Sequence, residues 1–78
     1  MLNSIETYRN AGAIAGKAMR RGDKTLAMNQ NRWLSRACAL EKPEDRETAR
    51  TAYNEAYREE SGFFGLPAPG KTWEYVKP

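Results

Sequence analysis

The chain has 78 residues, with 13 Lys and Arg against 10 Asp and Glu, one cysteine and no histidine. That length implies one domain with a thin margin of burial; a single cysteine excludes an internal disulfide, and the missing histidine removes the commonest general base, metal ligand and partner of a nucleophile. The net charge of +3 is modest but unevenly spread: residues 1–42 hold eight basic against three acidic side chains, residues 43–78 five against seven.

The pattern predicts a first helix over about 4–21, starting at Asn3 or Ser4, with Asn3 and Glu6 spaced as a capping box. At 100° per residue, Ile5, Tyr8, Gly12, Ala15, Gly16 and Met19 share one arc. Arg9, Asn10, Lys17, Arg20 and Arg21 fall on the opposite side. Two glycines inside a helix cost about 1 kcal/mol each against Ala. The spacing Gly12-x-x-x-Gly16 on the apolar arc therefore predicts close approach of another backbone. Gly22 is a natural stop.

Asp23 is placed to cap a second helix, over 24–40. Leu26, Ala27, Trp33, Leu34, Ala37, Cys38 and Leu40 are its expected inner face; Asn29, Arg32, Ser35 and Arg36 its outer face. The two-residue linker Gly22-Asp23 demands a sharp turn, as an antiparallel hairpin or an angled pair.

Pro43 suits the first position of a third helix, over 43–61, with Glu44, Asp45 and Glu47 in the turn where the helix dipole favours negative charge. Ala49, Ala52, Tyr53, Ala56 and Tyr57 form its apolar stripe. Arg46, Arg50, Asn54, Glu55 and Arg58 are expected to face water, with Glu47–Arg50 and Glu55–Arg58 as i,i+3 pairs. Ser61-Gly62 ends the helix.

The fold expected is all-α: a three-helix domain over residues 1–62, followed by a Pro/Gly/aromatic extended segment over 63–78, packed on the helices or docking a partner. Five Leu, two Ile, one Val and two Phe make a sparse apolar set for 78 residues. The expected core is Ile5, Tyr8, Gly12, Met19, Leu26, Trp33, Leu34, Leu40, Tyr53 and Tyr57. On that assignment, truncating Trp33 to Ala costs about 3–5 kcal/mol. So thin a core also makes a homodimer, or folding on a partner, an expectation.

Gly65 to Thr72 matches the phosphate-binding pattern G-x-x-x-x-G-K-[ST], with Lys71 in the lysine position. That motif works when it joins a strand to a helix and its N–H groups cradle phosphates. Here Pro67 and Pro69 remove two of those donors, and the six residues after Thr72 end in proline. The segment reads as a Pro/Gly turn. Cys38 reads as a small hydrophobe on the inner face of the second helix. The adjacent carboxylates Glu44/Asp45 and Glu59/Glu60 point apart on a helix and read as solvated. No cofactor, metal or catalytic set is expected.

Two features point to binding. Arg9, Lys17, Arg20, Arg21, Lys24, Arg32 and Arg36 form basic faces on the first two helices, suited to phosphates or to an acidic protein surface. Trp73 and Tyr75 are aromatic residues of the kind that anchor interfaces. A short, histidine-free, single-cysteine helical chain with no catalytic constellation also resembles, as a class, small phage or mobile-element accessory proteins. Those work by occupying a surface on a host macromolecule, as anti-CRISPR proteins do; no individual residue carries the resemblance, so no site residues follow from it.

The expected function is a non-catalytic module, inhibitor-like, binding a protein or ribonucleoprotein partner stoichiometrically. The alternative is nucleic-acid binding through the basic faces of the first two helices. A third reading is enzymatic, through the motif at Gly65–Thr72. Without an apolar leader or a span near the roughly 20 residues a membrane helix needs, no membrane contact and a cytoplasmic location are expected, the host cytoplasm for a phage-encoded chain.

Overall fold

The structure is a computed structural model that describes residues 1–62. It is all-α, with helices α1 (Ile5–Arg21), α2 (Lys24–Leu40) and α3 (Pro43–Ser61) and no strand among the described residues. No described helix is long and apolar enough to cross a membrane. Trp73, Tyr75 and the motif at Gly65–Thr72 lie outside the described residues.

Local chemistry explains the helix ends. Ser4 rather than Asn3 caps α1: its hydroxyl accepts the Thr7 N–H at 3.1 Å and lies 2.9 Å from the Thr7 hydroxyl. Gly22 adopts φ 80°, the left-handed conformation that glycine takes without steric cost. The Gly22 and Asp23 N–H groups then reach back to the carbonyls of Met19 and Ala18, a Schellman close. Asp23 starts α2 at once, its carboxylate accepting the Leu26 N–H at 3.1 Å. Pro43 opens α3, and Gly62 at φ 69° ends it.

The packing follows from Gly12 and Gly16. A methyl group on Gly12 would overlap the backbone carbonyl of Tyr53, and one on Gly16 would lie 2.7 Å from the Tyr57 carbonyl oxygen. Here α1 and α3 meet backbone to backbone. Because Gly12 meets Tyr53 and Gly16 meets Tyr57, the two helices run parallel. The return helix α2 is antiparallel to α1, placing Trp33 against Tyr8 with ring centroids 5.5 Å apart. Contact is heaviest between α1 and α3, lighter between α1 and α2, and slight between α2 and α3.

Close helices need small side chains, and the core supplies them. Its buried hydrophobics are Ala11, Ala15, Ala18, Ala27, Ala37, Ala49 and Ala52, with Tyr8, Tyr53, Tyr57, Met19, Leu34 and Cys38. Alanine keeps the backbones near one another, and three tyrosines fill the volume that few aliphatics could. The Tyr53 and Tyr57 rings stack at 6.5 Å. The Tyr53 hydroxyl is buried with no hydrogen-bond partner among the described residues.

Glu41 closes the end of the molecule where the start of α1, the end of α2 and the start of α3 meet. Only 3 % exposed, its carboxylate accepts the Leu2 N–H at 2.7 Å, the Asn3 N–H at 3.1 Å and the Tyr8 hydroxyl at 2.6 Å. Asn3 thus contributes its backbone to Glu41 and leaves the cap to Ser4.

Several expectations are corrected. Ile5 is 38 % and Leu40 74 % exposed: Ile5, the first residue of α1, borders the open groove toward α3, and Leu40 is the last residue of α2. Leu26 and Trp33 are half-buried against the core, so Trp33→Ala costs about 2 kcal/mol rather than the full-core figure. Arg46 does not face water; its guanidinium donates to the Cys38, Ala39 and Glu41 carbonyls at 3.0–3.2 Å and caps the end of α2 from the first turn of α3. Glu47–Arg50 and Glu55–Arg58 do not close as ion pairs among the described residues.

Gly12→Ala gains about 1 kcal/mol of helix propensity but forces a backbone apart at an overpacking cost of about 1–3 kcal/mol or more. Thermal unfolding followed by circular dichroism should show a lower Tm; an unchanged or higher Tm would mean that α1 and α3 do not touch there. Tyr53→Phe removes an unpartnered hydroxyl, so its Tm should hold or rise, whereas Tyr8→Phe takes a donor from Glu41 and should lower it. A fall for Tyr53→Phe matching that for Tyr8→Phe would show a partner on the Tyr53 hydroxyl.

Candidate partner-binding surface

Charge is segregated by helix. Along α1 and α2 seven side chains are basic (Arg9, Lys17, Arg20, Arg21, Lys24, Arg32 and Arg36), and Glu6 alone is acidic. Along α3 six are acidic and three basic, and one of those three, Arg46, is held on the α2 carbonyls. The molecule is therefore electrically polar across its short dimension, with α3 as its acidic side.

All seven predicted basic residues are exposed, but they do not form one patch. Arg9 lies in the groove between α1 and α3, beside Glu44, Glu47 and Glu55. Arg20 turns toward the end of α3, with its guanidinium near Gly62. Lys24 begins α2 and has a partner of its own. Lys17, Arg21, Arg32 and Arg36 remain on the side of α1 and α2 that faces away from α3.

On that side lies a hollow of about 340 Å³, lined by Thr7, Asn10, Ala11, Ile14, Gln30 and Trp33. Ala11 floors it, Ile14 and Trp33 wall it, and the amides of Asn10 and Gln30 rim it. Helical spacing extends the surface both ways. Lys17 and Arg21 follow Ile14 at i+3 and i+7 along α1; Arg36 and Leu40 follow Trp33 at i+3 and i+7 along α2. Ile14 is 43 % and Leu40 74 % exposed, so an apolar line of Ile14, Trp33 and Leu40 runs between basic side chains.

Sequence reasoning named the cations and missed Ile14, although a signal was present: Ile14 stands opposite the apolar arc of α1, where no core can use it. Glu41 was also missed. A lone Glu before Lys-Pro reads as linker, and only the folded chain brings Leu2, Asn3 and Tyr8 to it.

The titratable groups off this surface are structural. The hydrogen bond from Tyr8 holds the Glu41 carboxyl below its ordinary value, with help from the Leu2 and Asn3 amides and against the effect of burial. Burial, then the bond to Glu41, pushes Tyr8 up to about 12. Burial raises the Cys38 thiol, which suits a packing residue rather than a nucleophile. Among the described residues no three Cys, Asp or Glu side chains converge as a metal site would require.

Comparison with known proteins gives no match: no family model, no curated protein and no solved structure resembles the chain. Fold and surface define a class only, a small all-α domain with three helices over the described residues, most of its basic side chains on α1 and α2 and most of its acidic ones on α3.

Stability should fall at both ends of the pH range, with Glu41 shaping the acid limb and Cys38, Tyr8 and Tyr53, each raised by burial, together shaping the alkaline one. Glu41 has a depressed folded pKa, so its contribution is complete above the ordinary 4.5 and is lost as pH falls through the lower folded value. Tyr8 has a raised one, so its contribution is complete below 10 and is lost as pH rises toward about 12. Urea midpoints measured across this range should fall at both ends. Glu41→Gln should be less stable at neutral pH with a flatter acid limb; an acid limb parallel to wild type would remove Glu41 from the account.

Proposed function

We propose that the chain is a non-catalytic binding module that acts stoichiometrically on a protein or ribonucleoprotein partner through the α1–α2 face. The observation that supports this most is the apolar line of Ile14, Trp33 and Leu40 set among Lys17, Arg21, Arg32 and Arg36. A half-buried Trp with exposed aliphatic side chains beside arginines is the composition of protein-interface hot spots. Inhibition by surface occupation, in the manner of small phage or mobile-element accessory proteins, is the form of action this reading favours, in the cytoplasm of a host.

The second reading, nucleic-acid binding, draws on the same cations. It is less well served: Arg9 and Arg20 turn toward α3, and the remaining basic residues flank an apolar line that phosphates cannot use. Trp73 and Tyr75 remain candidate contacts in either reading.

Affinity capture from lysate, with and without nuclease, tests the proposal. Wild type and Arg9→Glu should both retain a stoichiometric protein partner after nuclease, and Arg21→Glu/Arg36→Glu should lose it. Recovery that vanishes with nuclease moves the function to nucleic acid. Catalytic turnover of a substrate, or no recovery at all, sinks the binding module.

A further inference from the structure

Resting on that reading, we infer that the α1–α2 hollow takes an acidic amphipathic helix of the partner, with one apolar side chain inserted between Ile14 and Trp33.

The shape of the surface selects a helix. A groove between two helices offers no unpaired strand edge, so an extended segment gains no ladder of hydrogen bonds there. A helix brings its own backbone bonds and needs only an apolar stripe. Trp33 and Leu40 lie seven residues apart on α2, roughly 10 Å along its axis. Apolar residues at i and i+7 of a helix laid beside α2 have that same rise, so one stripe can meet the hollow at Trp33 and the exposed Leu40 beyond it.

Charge selects the flanks of that helix. Arg36 follows Trp33 toward Leu40 on α2, with Arg32 adjoining, Lys17 and Arg21 extend the surface from the other end of the hollow along α1, and Glu6 is the only acidic side chain on either helix. A partner with Asp and Glu beside its apolar stripe meets cations at both ends of the hollow; a basic amphipathic helix is repelled by them.

The same observations disfavour two other occupants. A nucleic-acid strand could use the cations but would leave Ile14 and Leu40 beside phosphates. A second copy could offer the outer face of its α3, lined by Thr51, Asn54, Glu55, Arg58 and Glu59. That face has no apolar residue to fill the hollow, because the apolar stripe of α3 is spent on α1.

Chemical-shift mapping on the full chain tests this with synthetic peptides of about 16 residues, roughly 24 Å as helix. One carries Leu along a single helical face and Glu and Ala elsewhere. A second scrambles the same composition, a third replaces Glu by Lys, and a single-stranded oligonucleotide of similar length completes the set. The Leu/Glu helix should shift amides of Thr7–Ile14 and Gln30–Leu40 and bind at least about tenfold tighter than the scrambled peptide, as loss of one seated apolar anchor implies. Ile14→Ala and Arg21→Glu/Arg36→Glu, all at exposed positions that should leave the helical spectrum intact, should each weaken it by about that factor.

Equal binding of the scrambled or Lys peptide, shifts confined to α3, or no binding overturns the inference. Tighter binding of the oligonucleotide overturns it in favour of nucleic acid, and concentration-dependent shifts at these residues without peptide overturn it in favour of a second copy. A nuclease-resistant partner captured through Arg21 and Arg36, alongside peptides that show no preference, removes the helix and leaves the binding module standing.

Discussion

The structure depends on the absence of two side chains. Without Cβ atoms at Gly12 and Gly16, α1 lies against the Tyr53 and Tyr57 carbonyls of α3. That contact sets the size of everything between the helices. A wide core would need Leu and Ile, which this chain scarcely has; a narrow one is filled by Ala and closed by Tyr. The sparse aliphatic composition is thus matched to the helix spacing. It also explains the open side of the molecule. With α3 seated on the glycine arc of α1, α2 covers only one flank, and none of the described residues covers the outer part of the α1–α2 junction around Ile14 and Trp33.

Polar chemistry completes what so small a core leaves undone. Glu41 gathers two backbone amides and a phenol at the end where three chain segments converge, and Arg46 satisfies carbonyls that the end of α2 leaves without helical partners. Both are charged residues used as structural fixings, and the three donors on Glu41 are what make its burial tolerable. Tyr53 stands in contrast, its phenol buried without a partner among the described residues. Its ring stacks on Tyr57, so packing keeps it there despite the hydroxyl.

Much of this was legible in the residues. Gly22, Asp23, Pro43 and Gly62 mark the helix ends, because capping is local chemistry that a short window contains. The glycine pair announced a close backbone, because nothing else compensates two glycines in a helix. What could not be read was which neighbour takes which part of each arc. Ile5 and Leu40 have apolar character but stand near helix ends that leave them partly open, whereas Arg46 stands on a polar arc yet finds two carbonyls of α2 and that of Glu41. The basic residues show the same limit. The wheel of α1 puts Arg9, Lys17, Arg20 and Arg21 on one side, and the parallel placement of α3 then divides them, drawing Arg9 and Arg20 toward itself. Glu41 was illegible for a related reason: its three partners lie 33 to 39 positions away.

The parallel pairing of α1 and α3 also has a bearing on how the chain reaches its fold. Gly12 and Tyr53, like Gly16 and Tyr57, are 41 positions apart (53 − 12 and 57 − 16). The largest interface is therefore the most distant in sequence, while the short turn at Gly22-Asp23 joins the pair with the lighter contact. Closing the long loop must precede the contact that rewards it. During synthesis α1 emerges well before α3, and until α3 follows, its glycine arc has no backbone to meet. Two glycines without that compensation weaken a lone helix, so α1 is expected to become fully helical only as α3 docks. For this topology, secondary and tertiary structure arrive together rather than in sequence.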